Sequence, residues 1–421
     1  MASQAPSTMD LSNDYDDKQN KDQFAVQNVI GVNNLTYKLA SDLSCVQARR
    51  YTRHHFLNQQ YGSANTRATC VLQTGSNFVG TMFLHFTITA SNDVSGANTT
   101  ITSGTDLIQS LTIYTRDGTE VSRTNDLNVI SRQFVNFTSD HSKMLGPNSS
   151  FRPPHPVNFV TPTQEFYIPM GVLSGLLSIP ENGGRLLPSA LMAGLRLEFV
   201  FAPAEIAMVT TSGNVTYTID DIYIDCLEYT LNDAVALSIN DECAKHGLEI
   251  PFVEYFTTRY SNVLDDVNIE VRKAASRALA VAVIPQLNHS NANVDSCAAE
   301  EVFPFQQIQC RLGSIYFPNQ RLTSQIAIYR HCLENFERLY PSSAGTSVSL
   351  AAFLEQGHGI YMQSLERSNV LDLAGMSSNN SRTVAVSARM RAAESNARSL
   401  LCVLSYLRVV TVYINNTVLQ E

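Results

Sequence analysis

Tryptophan is absent from this chain, and only 16% of its 421 residues are charged. Proteins that hold sugars by stacking rely on broad aromatic platforms, so the missing tryptophan weighs against that class. The formal net charge is −9. Phosphate neutralisation needs clustered lysine and arginine, so binding of nucleic acid by general electrostatic attraction is excluded as the main role. Signatures of chemistry are missing too: the chain has no G-x-S-x-G elbow, no H-E-x-x-H, no G-x-x-x-x-G-K loop and no Gly-rich dinucleotide fingerprint, which argues against the enzyme classes those motifs mark. Eight cysteines, at positions 45, 70, 226, 243, 297, 310, 332 and 402, contain no C-x-x-C pair. They read as buried, reduced thiols rather than as a disulfide framework or a zinc site. Residues 1–23 are polar and acidic, without the apolar run of a signal peptide. The most apolar stretch, Leu400 to Ile414, is broken by Ser405 and Arg408 and is too short to span a membrane. An intracellular chain without a transmembrane segment is expected, and in it the eight Asn-x-Ser/Thr triplets, from Asn34 to Asn415, read as chance in an Asn-, Ser- and Thr-rich composition.

What the chain does contain is strand pattern. At 421 residues it is too long for one sandwich, so two comparable domains are expected. Met82, Leu84, Phe86 and Ile88 alternate with Phe83, His85, Thr87 and Thr89, the period of a sheet with one face on a core. Leu111 to Val121 reads as a hairpin with Asp117-Gly118 at its tip, in a two-residue turn with positive φ at both positions. Leu127, Ile130 and Phe134 then step at helical spacing behind Thr124, Asn125 and Asp126 as candidate caps. After a proline-rich stretch at residues 153–162, strands are expected at 165–169, 195–201 and 216–231, and the connection between the first two, broken by Pro180, Gly183, Gly184 and Pro188, reads as a shaped loop rather than a helix. Asn232 to Gly247 reads as a linker. The pattern then starts again: Val267, Ile269 and Val271, the run Leu279 to Ile284, a strand Ile308 to Phe317 ending at Pro318, and a helix with Ile326, Tyr329, Leu333, Phe336 and Tyr340 on one face. Further strands are expected at 360–365, 383–390 and 400–414.

Candidate sites are few. Arg49-Arg50-Tyr51-Thr52-Arg53-His54-His55 is the one local basic cluster, able to touch phosphate or an acidic neighbour. Residues 1–30 carry five aspartates and little apolar pattern; they read as an arm, either a plain tail or one ordered by a neighbouring subunit. Asp220-Asp221 and Asp265-Asp266 are adjacent acids whose side chains in a strand point to opposite faces and do not converge on a substrate. His85 reads as a satisfied sheet residue, and His54-His55 and His331-Cys332 lack ligand spacing. No catalytic, cofactor-binding or metal residue is assigned, and an enzyme is not expected.

The stretch Glu165 to Pro203 carries a strand ending in Ile168-Pro169, then Leu173-Ser-Gly-Leu-Leu177, Leu186-Leu187-Pro188 and Gly194-Leu-Arg-Leu-Glu-Phe199. Together with Gly247-Leu-Glu-Ile-Pro251, Leu312-Gly-Ser-Ile-Tyr-Phe-Pro318, Leu365-Glu-Arg-Ser368 and Leu373-Ala-Gly-Met-Ser377, it resembles the double jelly-roll major capsid proteins of polinton-like viruses and virophages, in the lineage of the adenovirus hexon. The resemblance spans roughly residues 50 to 414. It implies an all-β fold with inserted helices: an arm at 1–52, a first jelly roll at 53–240 and a second at 241–421. It also implies a structural subunit of a virion, assembled inside the host cell, a homotrimer whose six rolls form a near-hexagonal tile beside other tiles, penton and minor capsid proteins. No cofactor and no sequence-specific nucleic-acid contact are implied. A carbohydrate-binding or hydrolytic β-sandwich is the competing reading.

Overall fold

The computed structural model describes residues 46–420 apart from 59, 63–65, 95–96, 138–149, 151–156, 159–162, 179–185, 264–265, 288–294, 340–347, 367–374, 379–381, 392–397 and 414–416. Eight principal strands build the first half: β1 Val46–His55, β2 Arg67–Val71, β3 Phe78–Asn92, β4 Ile108–Tyr114, β5 Glu120–Thr124, β6 Thr163–Pro169, β7 Arg196–Phe201 and β8 Val215–Leu231. They pair antiparallel in two sheets, ordered β1-β8-β3-β6 and β2-β7-β4-β5. Eight more build the second: β9 Leu248–Val263, β10 Asp266–Val271, β11 Ala275–Leu287, β12 Phe305–Leu312, β13 Ile315–Leu322, β14 Tyr361–Ser364, β15 Val384–Met390 and β16 Arg398–Val412. Their sheets are β9-β16-β11-β14 and β10-β15-β12-β13. The second order is the first with every strand advanced by eight. Each is the two-sheet order of a jelly roll, so the expectation of two consecutive jelly rolls is met.

Alternation explains each sheet's inner face. Leu197, Phe199 and Phe201 of β7 are buried while Arg196, Glu198 and Val200 between them are partly exposed. Opposite them lie Leu84, Phe86 and Ile88 of β3 and Phe166 of β6, all in one cluster. Each fully buried Phe or Leu contributes about 1.5–3 kcal/mol relative to exposure. The segment joining β6 to β7 carries the chain from one sheet to the other, and its Leu173, Leu176, Leu187, Leu191 and Met192 are sealed into the same core. It is not free of helix as expected: single turns occur at Met170–Leu173 and Ser189–Met192, each entered from a proline, Pro169 or Pro188. Proline breaks a helix interior but not the position before its first turn.

Helices are inserted at the same place in both rolls: α1, Leu127–Asn136, lies between β5 and β6, and α3, Gln325–Leu339, between β13 and β14. The expected linker holds a third, α2, Asp233–Lys245, with Asn232 capping it by accepting from the Ala234 N–H; the Asn and Asp that read as linker composition are cap and first turn. β1 begins at Val46, inside the stretch read as arm, and residues 1–45 lie outside the described residues.

Four other local readings are corrected. In the β4–β5 hairpin the Thr115 carbonyl accepts from the Gly118 N–H, and positive φ falls on Gly118 alone, not on Asp117; the third loop residue absorbs the twist that a primed turn would have needed. Ile308 to Phe317 is two strands, because Gly313 at φ +61° turns β12 into β13, and Pro318 is tolerated inside β13 because that strand lies at a sheet edge. On α3 the buried stripe is Ile328, Cys332 and Phe336, with Ile326 turned outward. Asp221 sits in a bulge of β8 at φ +51° rather than in regular alternation with Asp220.

The seven cysteines among the described residues are all free and buried. Burial pushes the Cys70 and Cys402 thiols up to about 12, far from the reactive thiolate. Thiol titration should therefore find eight groups on the denatured, unreduced chain and at most one fast-reacting group, Cys45, on the native protein; several fast thiols in the native state would contradict this burial.

Candidate assembly interface

A helix with Asn128, Ser131, Arg132, Gln133 and Asn136 along one side ought to show that side to water. In α1 every residue except Phe134 is buried. Leu127 and Val135 enter the core of the first roll, whereas Val129 and Ile130, with Phe137 just beyond the helix, enter that of the second. The polar side meets the segment after β11. Gln133 Nε2 donates to the Cys297 carbonyl at 3.0 Å and Asn128 Nδ2 reaches Cys297 Sγ at 3.4 Å. Arg132 Nη1 donates to Asp106 Oδ2 at 3.1 Å, within the first roll, and to Asp295 Oδ1 at 2.8 Å, in the second; Nη2 bonds Asp295 Oδ2. Burial alone would lower the Arg132 guanidinium, but the charges of Asp106 and Asp295 outweigh it and hold it above its ordinary range. The N-cap carboxylate, Asp126, does not cap the helix; it accepts instead from Arg259 Nη2 of β9 at 2.9 Å.

A second junction is made by strand length. β9 and β16 pair from Leu248↔Val412 onward, and their outer ends lie over the first roll, with Ile250, Phe252, Val410 and Val412 in its core. There they close the open edge of β5. The Arg123 N–H donates to Glu254 Oε1 at 2.8 Å, and the Val121 carbonyl accepts from Arg408 Nη1 at 2.8 Å. Glu254 is completed by Arg408 Nη1 at 2.8 Å and the Tyr406 hydroxyl at 2.9 Å. An edge strand whose free backbone groups are taken by side chains offers no template for further pairing. Gly175 sits against the same ribbon, where a Cβ would fall 2.2 Å from the Val253 carbonyl oxygen.

The equivalent surfaces of the second roll have no such cover among the described residues. β13, the counterpart of β5, has no fully buried residue, and Ile315 and Tyr316 are exposed on it. On α3, Ile326 is 61% exposed, beside exposed Ala327, Arg330 and Glu334. On the first roll, Tyr51 of β1 is 75% exposed, and Leu57 just beyond it 74%. Five of the nine large apolar side chains exposed among the described residues thus fall on these two surfaces, so the apolar exposure is concentrated rather than scattered.

The residues singled out in the sequence do not assemble a reactive site. His85 is buried on β3 between Tyr167 and Tyr223, with ring centroids 4.4 and 4.2 Å away; Nε2 lies 2.6 Å from Glu165 Oε1 and Nδ1 3.1 Å from the Asp221 carbonyl. Asp220 accepts from Gln60 Nε2, and Asp265 lies outside the described residues. His331 Nε2 is 2.8 Å from Gln363 Oε1, and Cys332 is buried in the core. In the basic cluster, Arg50 pairs with Glu228 at 2.9 Å and Arg53 with Asp225 at 3.2 Å, so these two arginines have acidic partners within their own sheet. Among the described residues no three His, Cys, Asp or Glu side chains converge as metal ligands. Sequence reading missed α1's second covered face, Arg132 and Glu254; the signal available was an amphipathic pattern whose polar side carried a lone arginine.

No protein-family description matches the chain, and neither does any curated protein sequence. Its fold has solved counterparts. It is similar to PBCV-1 VP54, as fitted into a reconstruction of the virophage Sputnik, with TM-score 0.62 and 11% identity over 91% of this chain and 99% of that one. The Faustovirus major capsid protein gives TM-score 0.62 and 10% identity over 90% and 92%. The mavirus major capsid protein gives TM-score 0.51 and 11% identity over 100% and 96%. The chain has the double jelly-roll fold that these capsid proteins share, and the resemblance read in its sequence is borne out at the level of fold.

Two outcomes follow from the buried polar groups. Replacing Arg132 by Met leaves the Asp106 carboxylate buried without its cation, and should cost roughly 3–5 kcal/mol in denaturant unfolding; a loss under about 1 kcal/mol would show that the bridge does not secure the junction. His54 is held below the ordinary histidine range chiefly by burial, against the pull of Glu228, and its Nδ1 accepts from the Gln73 N–H. The unfolded chain takes up a proton near pH 6.5 that the folded chain refuses. The resulting stability is therefore full above that pH and declines as pH falls through it toward the lower folded value. His54→Gln should flatten the fall of the thermal midpoint between pH 7 and 5; an unchanged slope would remove His54 from the account.

Proposed function

We propose that this protein is a major capsid protein: a structural subunit, not an enzyme, that forms a homotrimer and tiles the icosahedral shell of a virion. The observation that carries the reading is the repetition of one strand order, with a helix inserted at the same point, alongside large apolar side chains left exposed on each roll among the described residues. Two rolls of like section set side by side let three copies imitate six-fold symmetry, and such tiles pack edge to edge. We take residues 53–240 and 241–421 as the two rolls, with 1–52 as an arm whose last residues, from Val46, run into β1 of the first roll, and neighbouring tiles, penton and minor capsid proteins as the partners. The competing hydrolytic reading finds little to stand on. The groove of about 460 Å³ between β9 and β10 is lined by Phe256, Thr258, Tyr260, Asn268, Glu270 and Arg272, a single carboxylate where glycoside hydrolysis uses a pair.

Light scattering on the purified protein should give three times the 46.4 kDa subunit mass, and electron microscopy should show particles with three-fold symmetry and a near-hexagonal outline. A well-behaved monomer at micromolar concentration would overturn the reading.

A further inference from the structure

Each roll carries one inserted helix, and the two helices differ in how they are covered. α1 lies between its own roll and the next one, where it meets the first strand, β9, and the segment after β11. Its Phe134 ring meets Tyr255 of β9 edge to face at 5.6 Å, and Asp126 at its N-terminus pairs with Arg259 four residues along the same strand. A spacing of four puts Tyr255 and Arg259 on one face. α3 packs on its own roll through Ile328, Cys332 and Phe336 in the core and Gln325 Nε2 donating to the Phe303 carbonyl, and the Phe336 ring also stacks on Phe137 at 4.2 Å and meets Phe134 of α1 edge to face. Its opposite side, Ile326, Ala327, Arg330 and Glu334, is exposed.

The counterpart of β9 in the first roll is β1. Tyr51, Arg53 and His55 share one face of it and pair with Leu227, Asp225 and Tyr223 of β8, just as Tyr255, Thr257 and Arg259 pair with Ser405, Val403 and Leu401 of β16. An aromatic ring and a basic side chain four residues apart therefore recur on the first strand of both rolls. In the second roll α1 packs on the ring and pairs with the arginine; in the first, Tyr51 stays 75% exposed. The charges are complementary in the same sense as inside the chain. There an acid on the helix, Asp126, meets an arginine on the strand; here α3 carries Glu334, and β1 carries Arg49, Arg53 and His55. The present partners of these groups, Arg330 for Glu334 and Asp225 for Arg53, are surface pairs, worth at most about 1 kcal/mol each and easily exchanged.

We propose that α3 of one copy docks on the β1–β8 face of a second copy, with Ile326 against Tyr51 and Glu334 toward Arg53, so that the contact joining the two rolls within a chain is repeated between chains. The proposal rests on the trimer reading and deepens it. A contact of this kind is heterologous, each copy giving its helix and receiving another, and three copies close the ring.

The test uses the full chain. Tyr51→Asp and Ile326→Asp alter exposed side chains, so circular dichroism and thermal midpoint should match the parent, while light scattering shows trimer converted to monomer with association weakened at least tenfold. Independently, Tyr51→Cys combined with Ile326→Cys should give cross-linked dimers and trimers on mild oxidation, and neither single variant should. If the parent is a trimer and both aspartate variants remain trimers at equal concentration, or if the cysteine pair fails to cross-link, this contact is wrong while the capsid reading stands. If the parent itself is a monomer, both fall together.

Discussion

The arrangement of the two rolls depends on one helix being buried on all sides. α1 has a polar side that would be costly to remove from water unless every group on it found a partner. The second roll supplies those partners through the Cys297 carbonyl and the Asp295 carboxylate, and Arg132 ties that carboxylate to Asp106 of the first roll. Separating the rolls would leave this set of groups without its protein partners in one step. The apolar side works in the same direction, because α1 and the residue after it place side chains in both cores. Neither roll is complete without the other.

That dependence turns a repeated topology into an asymmetric object. The same strand order occurs twice, yet β5 has its edge closed by Glu254 and Arg408 while β13, its counterpart, has no such closure among the described residues, and α1 is buried at every residue but Phe134 while α3 leaves Ile326, Ala327, Arg330 and Glu334 exposed. The two described repeats share one junction, and each has an outer end that this junction does not use. Repeat proteins with such ends either cap them or use them to meet further copies. Here the uncovered ends carry Tyr51, Ile315, Tyr316 and Ile326 rather than a polar cap, which suits assembly.

Much of the fold was legible in the chain because period-two alternation is strong where one face is buried: Leu197, Phe199 and Phe201 read correctly, as did Met82 through Ile88. Helix existence was legible as well, from spacing behind capping residues. What failed was whatever depended on a distant partner. Ile326 fits the helical stripe of α3 by spacing, but the stripe that packs is rotated toward Ile328 and Cys332, because the sheet beneath decides the angle. Asn232 to Gly247 looked like a linker since helix caps and linkers use the same residues. The junction was invisible for a related reason. Arg132, Asp106 and Asp295 are separated by 26 and 163 positions, and nothing local in the sequence brings them together.

The scarcity of charge bears on the same point. With few charged residues available, this chain still places two arginines, the buried Arg132 and the partly buried Arg408, at the contact between its rolls, each against a carboxylate. Replacing such pairs by apolar groups of like volume is often neutral or stabilising, so their worth is not measured in net stability. What they restrict is geometry. Apolar contact alone would tolerate a sliding of one sandwich past the other, since it is non-directional. The Glu254 carboxylate accepts from the Arg123 N–H while Arg408 donates to the Val121 carbonyl two residues away, and that set of bonds is satisfied in one register only. What directional bonds at the junction supply is a fixed angle between the two rolls, which more leucine would not, because apolar contact does not distinguish one register from the next.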